Sequence, residues 1–172
     1  MAHPQDGSYF LPAADFATVI RSTPLVSIDF IIRRPDGAVL VGRRHNEPAR
    51  DSWFVPGGRI RKNERLDAAF QRLLATETGF IAARSDATPV GVYEHLYDTN
   101  ALGDPAFGTH YVVIAYELKV AQDAVPVADS QHARFCWRTP ADLLGDAEVH
   151  PNTKAYFPAP NSDSGTLSPI TL

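Results

Sequence analysis

With 172 residues, 44% of them hydrophobic and 21% charged, the chain has the size and apolar content of one ordinary globular domain. A formal net charge of −4 excludes the electrostatic footprint of a protein that binds nucleic acid or an anionic membrane surface. The single Cys136 cannot pair internally, no apolar run reaches spanning length, and the start "MAHPQDGSYF" lacks a basic, apolar leader, so a cytoplasmic protein is expected.

The first element legible along the chain is "STPLVSIDFIIRRPDGAVLVGRR", two β-rich runs joined by Pro35-Asp36-Gly37, which predicts a hairpin. Asp29 alternates with Ile28 and Phe30 and therefore points to the opposite face of its strand; it either orients an arginine such as Arg44 or faces water. "SWFV" predicts a short strand that stops at Pro56-Gly57-Gly58. A helix follows, with Asn63 as its expected cap and Gly79 as its expected end, Phe80 packing back. Leu66, Ala69, Phe70, Leu73 and Leu74 recur at i, i+3, i+4, i+7 and i+8 and predict one buried stripe. Further strands are expected near 89–96, 111–120 and 134–137. Thr139-Pro140 opens a short helix, and Pro151 opens another around 154–157. The end, "APNSDSGTLSPITL", reads as a loose tail. Strands interleaved with helices that cover them imply an α/β domain with helices on both faces.

Glu77 is the informative residue of the long helix. At 100° per residue it falls almost in line with Leu66, Phe70 and Leu73, on the apolar stripe. A bare carboxylate there needs a cation or several donors, whereas a frayed helix end would leave it in water. Spacing alone leaves both open.

Gly58, five residues, Glu64, seven residues, Arg72 and then "LLATETGF" together resemble the Nudix signature. Leu73 and Thr76 stand where that family usually has glutamate, while Glu77 and Gly79 keep their places. This departure, with "DFATVIRSTPLVSIDF", "WFVPGGR", "HYVV" and "QH…W", is similar to the GDP-mannose mannosyl hydrolase branch. The resemblance implies an α/β/α sandwich with a mixed β-sheet, a single domain over 1–158 and a tail over 159–172. It also implies Mg²⁺ held by the carbonyl of Gly57, Glu77 and Gln131, all hard oxygen ligands. Arg44 and Arg59 match diphosphate-binding positions, where a planar guanidinium holds two oxygens at once. Tyr111 matches a donor to the diphosphate, His132 the general base, and His95 a position near the site. From the residues alone, Tyr111 would be a core tyrosine, His132 a surface histidine, and Glu64 with Arg72 an ion pair tying helix to loop. A direct contact of that pair with diphosphate or metal-bound water is the sharper alternative. Arg43, Arg61 and Lys62 read as solvated cations, and His110 and His150 as structural.

The implied activity is Mg²⁺-dependent hydrolysis of GDP-mannose, or GDP-glucose, to GDP and free sugar, by water attacking the anomeric carbon with inversion. Two alternatives stand beside it: attack at phosphorus by a Nudix pyrophosphohydrolase, and a non-catalytic domain that binds nucleotide sugar. In the resembling branch residues equivalent to 1–24 cross a homodimer interface and reach the guanine. Phe10 would then stack on the base and Asp15 make a polar contact. From the residues alone this segment would instead be a disordered leader followed by a strap that lays Phe16, Val19 and Ile20 on the chain's own core. The loop "DTNALGDPAFGT" is expected to be a mobile lid.

Overall fold

A computed structural model describes residues 11–127 and 132–157, and for 132 and 133 the backbone only. The hairpin forms as expected from β1 (Leu25–Arg33) and β2 (Val39–Arg44), antiparallel, with Gly37 at φ 86° in the turn. β3 (Trp53–Phe54) pairs with β2, and β4 (Gly57–Arg59) pairs with β1. β5 (Thr88–Tyr97) and β6 (Thr109–Lys119) form an antiparallel pair, and β7 (His132–Arg138) lies against β2. β6 runs parallel to β1 from Leu25↔Tyr111 to Arg33↔Lys119, which makes the sheet mixed. Along it the order is β3-β2-β1-β6-β5.

β1 is buried on both faces because its alternate residues enter two different cores. Ile28, Phe30 and Ile32 meet α2 (Leu66–Thr78), whose Ala69, Phe70, Leu73 and Leu74 complete that layer. Phe70 stands edge-on between Phe30 and Tyr116, with ring centroids 5.0 and 5.4 Å away. Ile31 enters the other layer with Val39, Val41, Trp53, Phe54 and residues of the C-terminal helices. Those helices are α3 (Pro140–Gly145) and α4 (Pro151–Lys154). α3 starts at a Thr139/Asp142 capping box with Pro140 behind it, as the sequence predicts. α4 starts at Pro151 but is over by Lys154, and Tyr156 and Phe157 follow it as buried anchors.

Two local readings change. Asn63 does not cap α2: it adopts φ 64° and Arg65 takes the N-cap position without a side-chain bond. Leu66 is 38% exposed, because it occupies the helix's first position ahead of the stripe that meets the sheet. Residues ahead of the hairpin form a helix, α1 (Ala13–Ser22), of which Ile20 is buried while Phe16 and Val19 are partly covered.

Gly79 ends α2 in the left-handed conformation, φ 74°, its N–H donating to the Ala75 carbonyl at 3.0 Å. A Cβ there would also meet two Val127 side-chain atoms at 3.0 Å. Gly79→Ala is therefore expected to cost about 1–2 kcal/mol, read as a lower urea midpoint with an unchanged m-value.

Candidate functional site

β4 is squeezed between β1 and α2. Gly57 lies opposite Asp29, and a Cβ added to it would stand 2.4 Å from Asp29 Oδ1 and 2.6 Å from the Ile28 carbonyl oxygen. A Cβ on Gly58 would meet Leu73 Cδ2 at 2.6 Å and Glu77 Oε1 at 3.6 Å. The strand thus has a carboxylate on either side: Asp29 from the sheet, Glu77 from the helix, 5% and 2% exposed. Glu77 is not a frayed end; it belongs to the buried face, with Thr78 at 0% exposure next to it. Leu73 fills the space beside Gly58 and Thr76 is exposed, so Glu77 is the one acid on this face of α2.

A buried carboxylate beside a glycine turn fits a hard divalent cation such as Mg²⁺ that keeps water or ligand oxygens in its remaining positions. Among the described residues no three His, Cys, Asp or Glu side chains gather into a fuller cage. Gln131 lies outside the described residues.

Glu64 and Arg72 form the ion pair that ties loop to helix. Arg72 Nε and the Nη2 donate to the two Glu64 oxygens at 2.5 and 2.7 Å, and Nη2 also reaches the Arg59 carbonyl at 3.1 Å. The Arg61 N–H adds a bond to Glu64 at 2.9 Å. The clamp fixes the end of β4 over α2.

The β4 turn opens into a cleft of about 600 Å³. Asp29, Arg44, Arg59, His95 and Tyr111 all line it, together with Gly57, Phe54 and Tyr97. Arg44 lies 5.9 Å from the Phe54 ring centre, and its buried Nε has no hydrogen-bond partner among the described residues. Arg59 is stacked 4.2 Å over Phe16 of α1, and burial pulls its guanidinium below the usual arginine range. Burial pushes the Tyr111 hydroxyl up, while Arg44 and Arg59 draw it down. These three groups form a cationic, donor-rich wall able to take an anion.

The floor is different. Burial raises Asp29 to about 7, opposed by the hydrogen bond from Tyr156 and by the charge of Arg44. His95, 3% exposed, is pushed down to about 4 by burial and then by His150. It is therefore neutral at pH 7, and its 4.0 Å approach to Asp29 is not an ion pair. Asp29 does not face bulk water: Tyr156 Oη donates to its Oδ2 at 2.7 Å and lies 3.3 Å from His95 Nε2.

His132 pairs through its backbone with Arg44 across β2 and β7, bringing that position alongside the cationic wall. Asp15 is exposed on α1, and Phe10 lies outside the described residues. Arg43 is held by Glu148 through contacts of 2.8 and 3.3 Å. His150 caps α4 by accepting the Asn152 N–H at 3.2 Å. Sequence reasoning missed Tyr97, Phe54 and Tyr156 as parts of the site, since nothing in their local patterns separates them from core aromatics. The loop after β5 is bonded within itself. Asn100, fully buried, donates to the Asp104 and Phe107 carbonyls at 2.7 Å and accepts from the N–H groups of Leu102 and Asp104. Thr99 also donates to Glu47 across the mouth of the cleft at 2.9 Å.

The NUDIX domain model matches residues 23–159. This chain belongs to the NUDIX family of hydrolases. Among curated relatives, the low-salt glycan biosynthesis protein Agl8 of Haloferax volcanii is 35% identical over 150 residues, 87% of this chain and 90% of that one. An RNA pyrophosphohydrolase of Caulobacter vibrioides is 25% identical over 118 residues, 65% of this chain and 69% of its own. The fold also matches a MutT NUDIX hydrolase from Burkholderia pseudomallei, with TM-score 0.64, 25% identity and coverage of 79% and 97% of the two chains. The NUDIX domain of Shewanella oneidensis NrtR, solved with ADP ribose, matches at TM-score 0.59 and 18% identity over 85% and 96%. No helix among the described residues of this NUDIX chain is long and apolar enough to cross a membrane.

The clamp has a testable pH signature. The Arg72 hydrogen bond holds the Glu64 carboxyl below its usual range against partial burial. A depressed carboxyl contributes stability that is present above its unfolded pKa and is lost as pH falls through the folded value. Arg72→Met should cost about 2 kcal/mol at pH 7, and the gap to the wild type should close below about pH 4 in urea unfolding.

Proposed function

We propose that this NUDIX protein hydrolyses a nucleotide sugar of the GDP-mannose class, GDP-mannose itself or GDP-glucose, to GDP and the free sugar. The observation that carries this reading is the single buried acid on the inner face of α2: Glu77 stands beside Gly58 while Leu73 packs there as hydrocarbon. Attack at phosphorus draws on an acid-rich helix to gather metals and activate water, and one carboxylate is poorly equipped for that. Displacement at the sugar's anomeric carbon asks less of it, because the departing diphosphate is already an anion that is stable once released. The relative whose name places it in glycan biosynthesis supports a sugar-bearing substrate.

In this reading Gly57, Glu77 and Gln131 would hold Mg²⁺, which would supply charge neutralisation for a diphosphate. Arg44, Arg59 and Tyr111 bind and orient that diphosphate. Asp29 and His95 contact the substrate at the cleft floor. His132 takes the proton of the attacking water as its oxygen bonds to the anomeric carbon and the bond from that carbon to the diphosphate oxygen breaks. A single displacement of this kind inverts the configuration. Residues 1–158 act as one domain, 159–172 as a tail, and the protein works in the cytoplasm. In a homodimer the part of 1–24 ahead of α1 reaches across to the second copy, where Phe10 stacks on the guanine, while α1 stays against its own Arg59 through Phe16 and offers the exposed Asp15 for a polar contact.

Reaction of GDP-mannose with Mg²⁺ in ¹⁸O-labelled water tests the bond that breaks. Label is expected in the sugar alone; label in the nucleotide product would place attack at phosphorus, the chemistry named for the RNA pyrophosphohydrolase relative. Absence of any product across a panel of nucleotide sugars would favour a non-catalytic binding domain.

His132→Gln should lower single-turnover kcat by roughly 10²–10⁴, with KM and the Mg²⁺ requirement little changed. A wild-type rate would remove the base from this mechanism, and recovery at high Mg²⁺ would make His132 a metal ligand instead.

A further inference from the structure

The floor of the cleft contains a residue to which neither the signature nor the mechanism above gives a role. Tyr156 follows α4, 127 positions after Asp29, and is 7% exposed. Its ring packs edge-on against Tyr93 at 4.7 Å, which would be enough to explain a buried tyrosine as hydrocarbon. Its hydroxyl, however, is not turned to solvent. It donates to Asp29 Oδ2 at 2.7 Å, and the same oxygen lies 3.3 Å from His95 Nε2.

We propose that the Tyr156 hydroxyl is the positioning group of the cleft floor, holding the Asp29 carboxylate in place and fixing His95 as the Nε2–H tautomer. A phenol has one proton. Once it is given to Asp29, the oxygen has only lone pairs left for His95, so Nε2 must be the donor of that contact. His95 is neutral at pH 7, so the proton at Nε2 leaves none at Nδ1. Nδ1 is 4.0 Å from the same Asp29 oxygen, beyond hydrogen-bond range. Once Asp29 is ionised, above about 7, its carboxylate and His95 Nδ1 are therefore two acceptors on residues that line the cleft together. Such a pair suits a ligand that brings hydroxyl donors, and it repels a second anion. It complements the cationic wall of Arg44 and Arg59, which suits the diphosphate. In its choice of ligand this inference rests on the nucleotide-sugar reading; in its tautomer it does not.

The tautomer is read first, without substrate, by ¹⁵N–¹H correlation of histidine-labelled wild-type protein at about pH 9, well above the value of about 7 to which burial raises Asp29, with His95→Gln used to assign the signal. The Nε2–H pattern is expected, and an Nδ1–H pattern would overturn the proposal. Tyr156→Phe then keeps the ring and removes only the oxygen. Its His95 signal should lose the single-tautomer pattern, and an unchanged pattern would count against the hydroxyl as the cause. In steady state the same variant should lose about tenfold in kcat, the scale of one hydrogen bond, with the Mg²⁺ requirement unchanged. In an Asp29→Asn background the same substitution should cost less than about twofold, because the group it positions has already been altered. Equal losses in both backgrounds would reduce Tyr156 to packing. If the wild type hydrolyses no nucleotide sugar, the proposed function fails while the tautomer measurement still decides this inference.

Discussion

Between strand β1 and helix α2 there is no room for a side chain at positions 57 and 58. The nearest atoms to a Cβ would be Asp29 Oδ1 at 2.4 Å on one side and Leu73 Cδ2 at 2.6 Å on the other. Real Cβ atoms do not approach so closely, so glycine is required for contact rather than for an unusual φ. The consequence is a backbone that brings two carboxylates from different layers to the same turn. Asp29 comes from the strand face turned away from α2, Glu77 from the helix itself. Widening the gap by one methyl group would push α2 off the sheet and carry Glu77 away from Gly58.

Holding Glu77 in that position has an energetic requirement. A carboxylate at 2% exposure is expensive unless its surroundings compensate for lost water. The clamp of Arg72 on Glu64 and the Arg59 carbonyl resists any drift of the loop away from the helix. The left-handed Gly79 and the Thr78 hydroxyl, which donates to the Leu74 carbonyl at 2.7 Å, close the helix directly after Glu77. The acid thus sits between a fixed loop and a fixed helix end. This is the kind of rigid setting in which a metal or phosphate ligand gains from not having to be ordered on binding.

Much of this was legible in the sequence because it is local. The Pro35-Asp36-Gly37 turn, the period of the α2 stripe, Gly79 and the Thr139-Pro140 start each declare themselves within a few residues. Asp29's opposite facing follows from the two-residue repeat of a strand, and its burial beside His95 does not. That depends on β6 running parallel to β1 and carrying β5 with it, and on a tyrosine 127 positions away. Asn63 misled because a polar residue ahead of an apolar run reads as a cap. Here the turn is tied by Glu64 instead, leaving Asn63 at φ 64°. Asn100 was hidden for a related reason: a Gly/Pro/Asp loop looks slack until one side chain is found to bond four backbone groups within it.

The two arginines of the cleft show how a low-charge acid site can still attract anions. Neither Arg44 nor Arg59 makes an ion pair among the described residues. Each guanidinium lies over an aromatic ring instead, Phe54 for Arg44 and Phe16 for Arg59. A ring face steadies the plane of a guanidinium without occupying its in-plane N–H donors, so the fork remains able to bind oxygen atoms. An aspartate partner would have satisfied the same donors and neutralised the charge. The cost of this arrangement appears at Arg44 Nε, buried without a partner among the described residues, and in the lowered pKa of Arg59. Because Phe16 belongs to α1, the N-terminal helix is not an appendage to the sheet: it sets the plane of one of the two cations that an anionic ligand would meet.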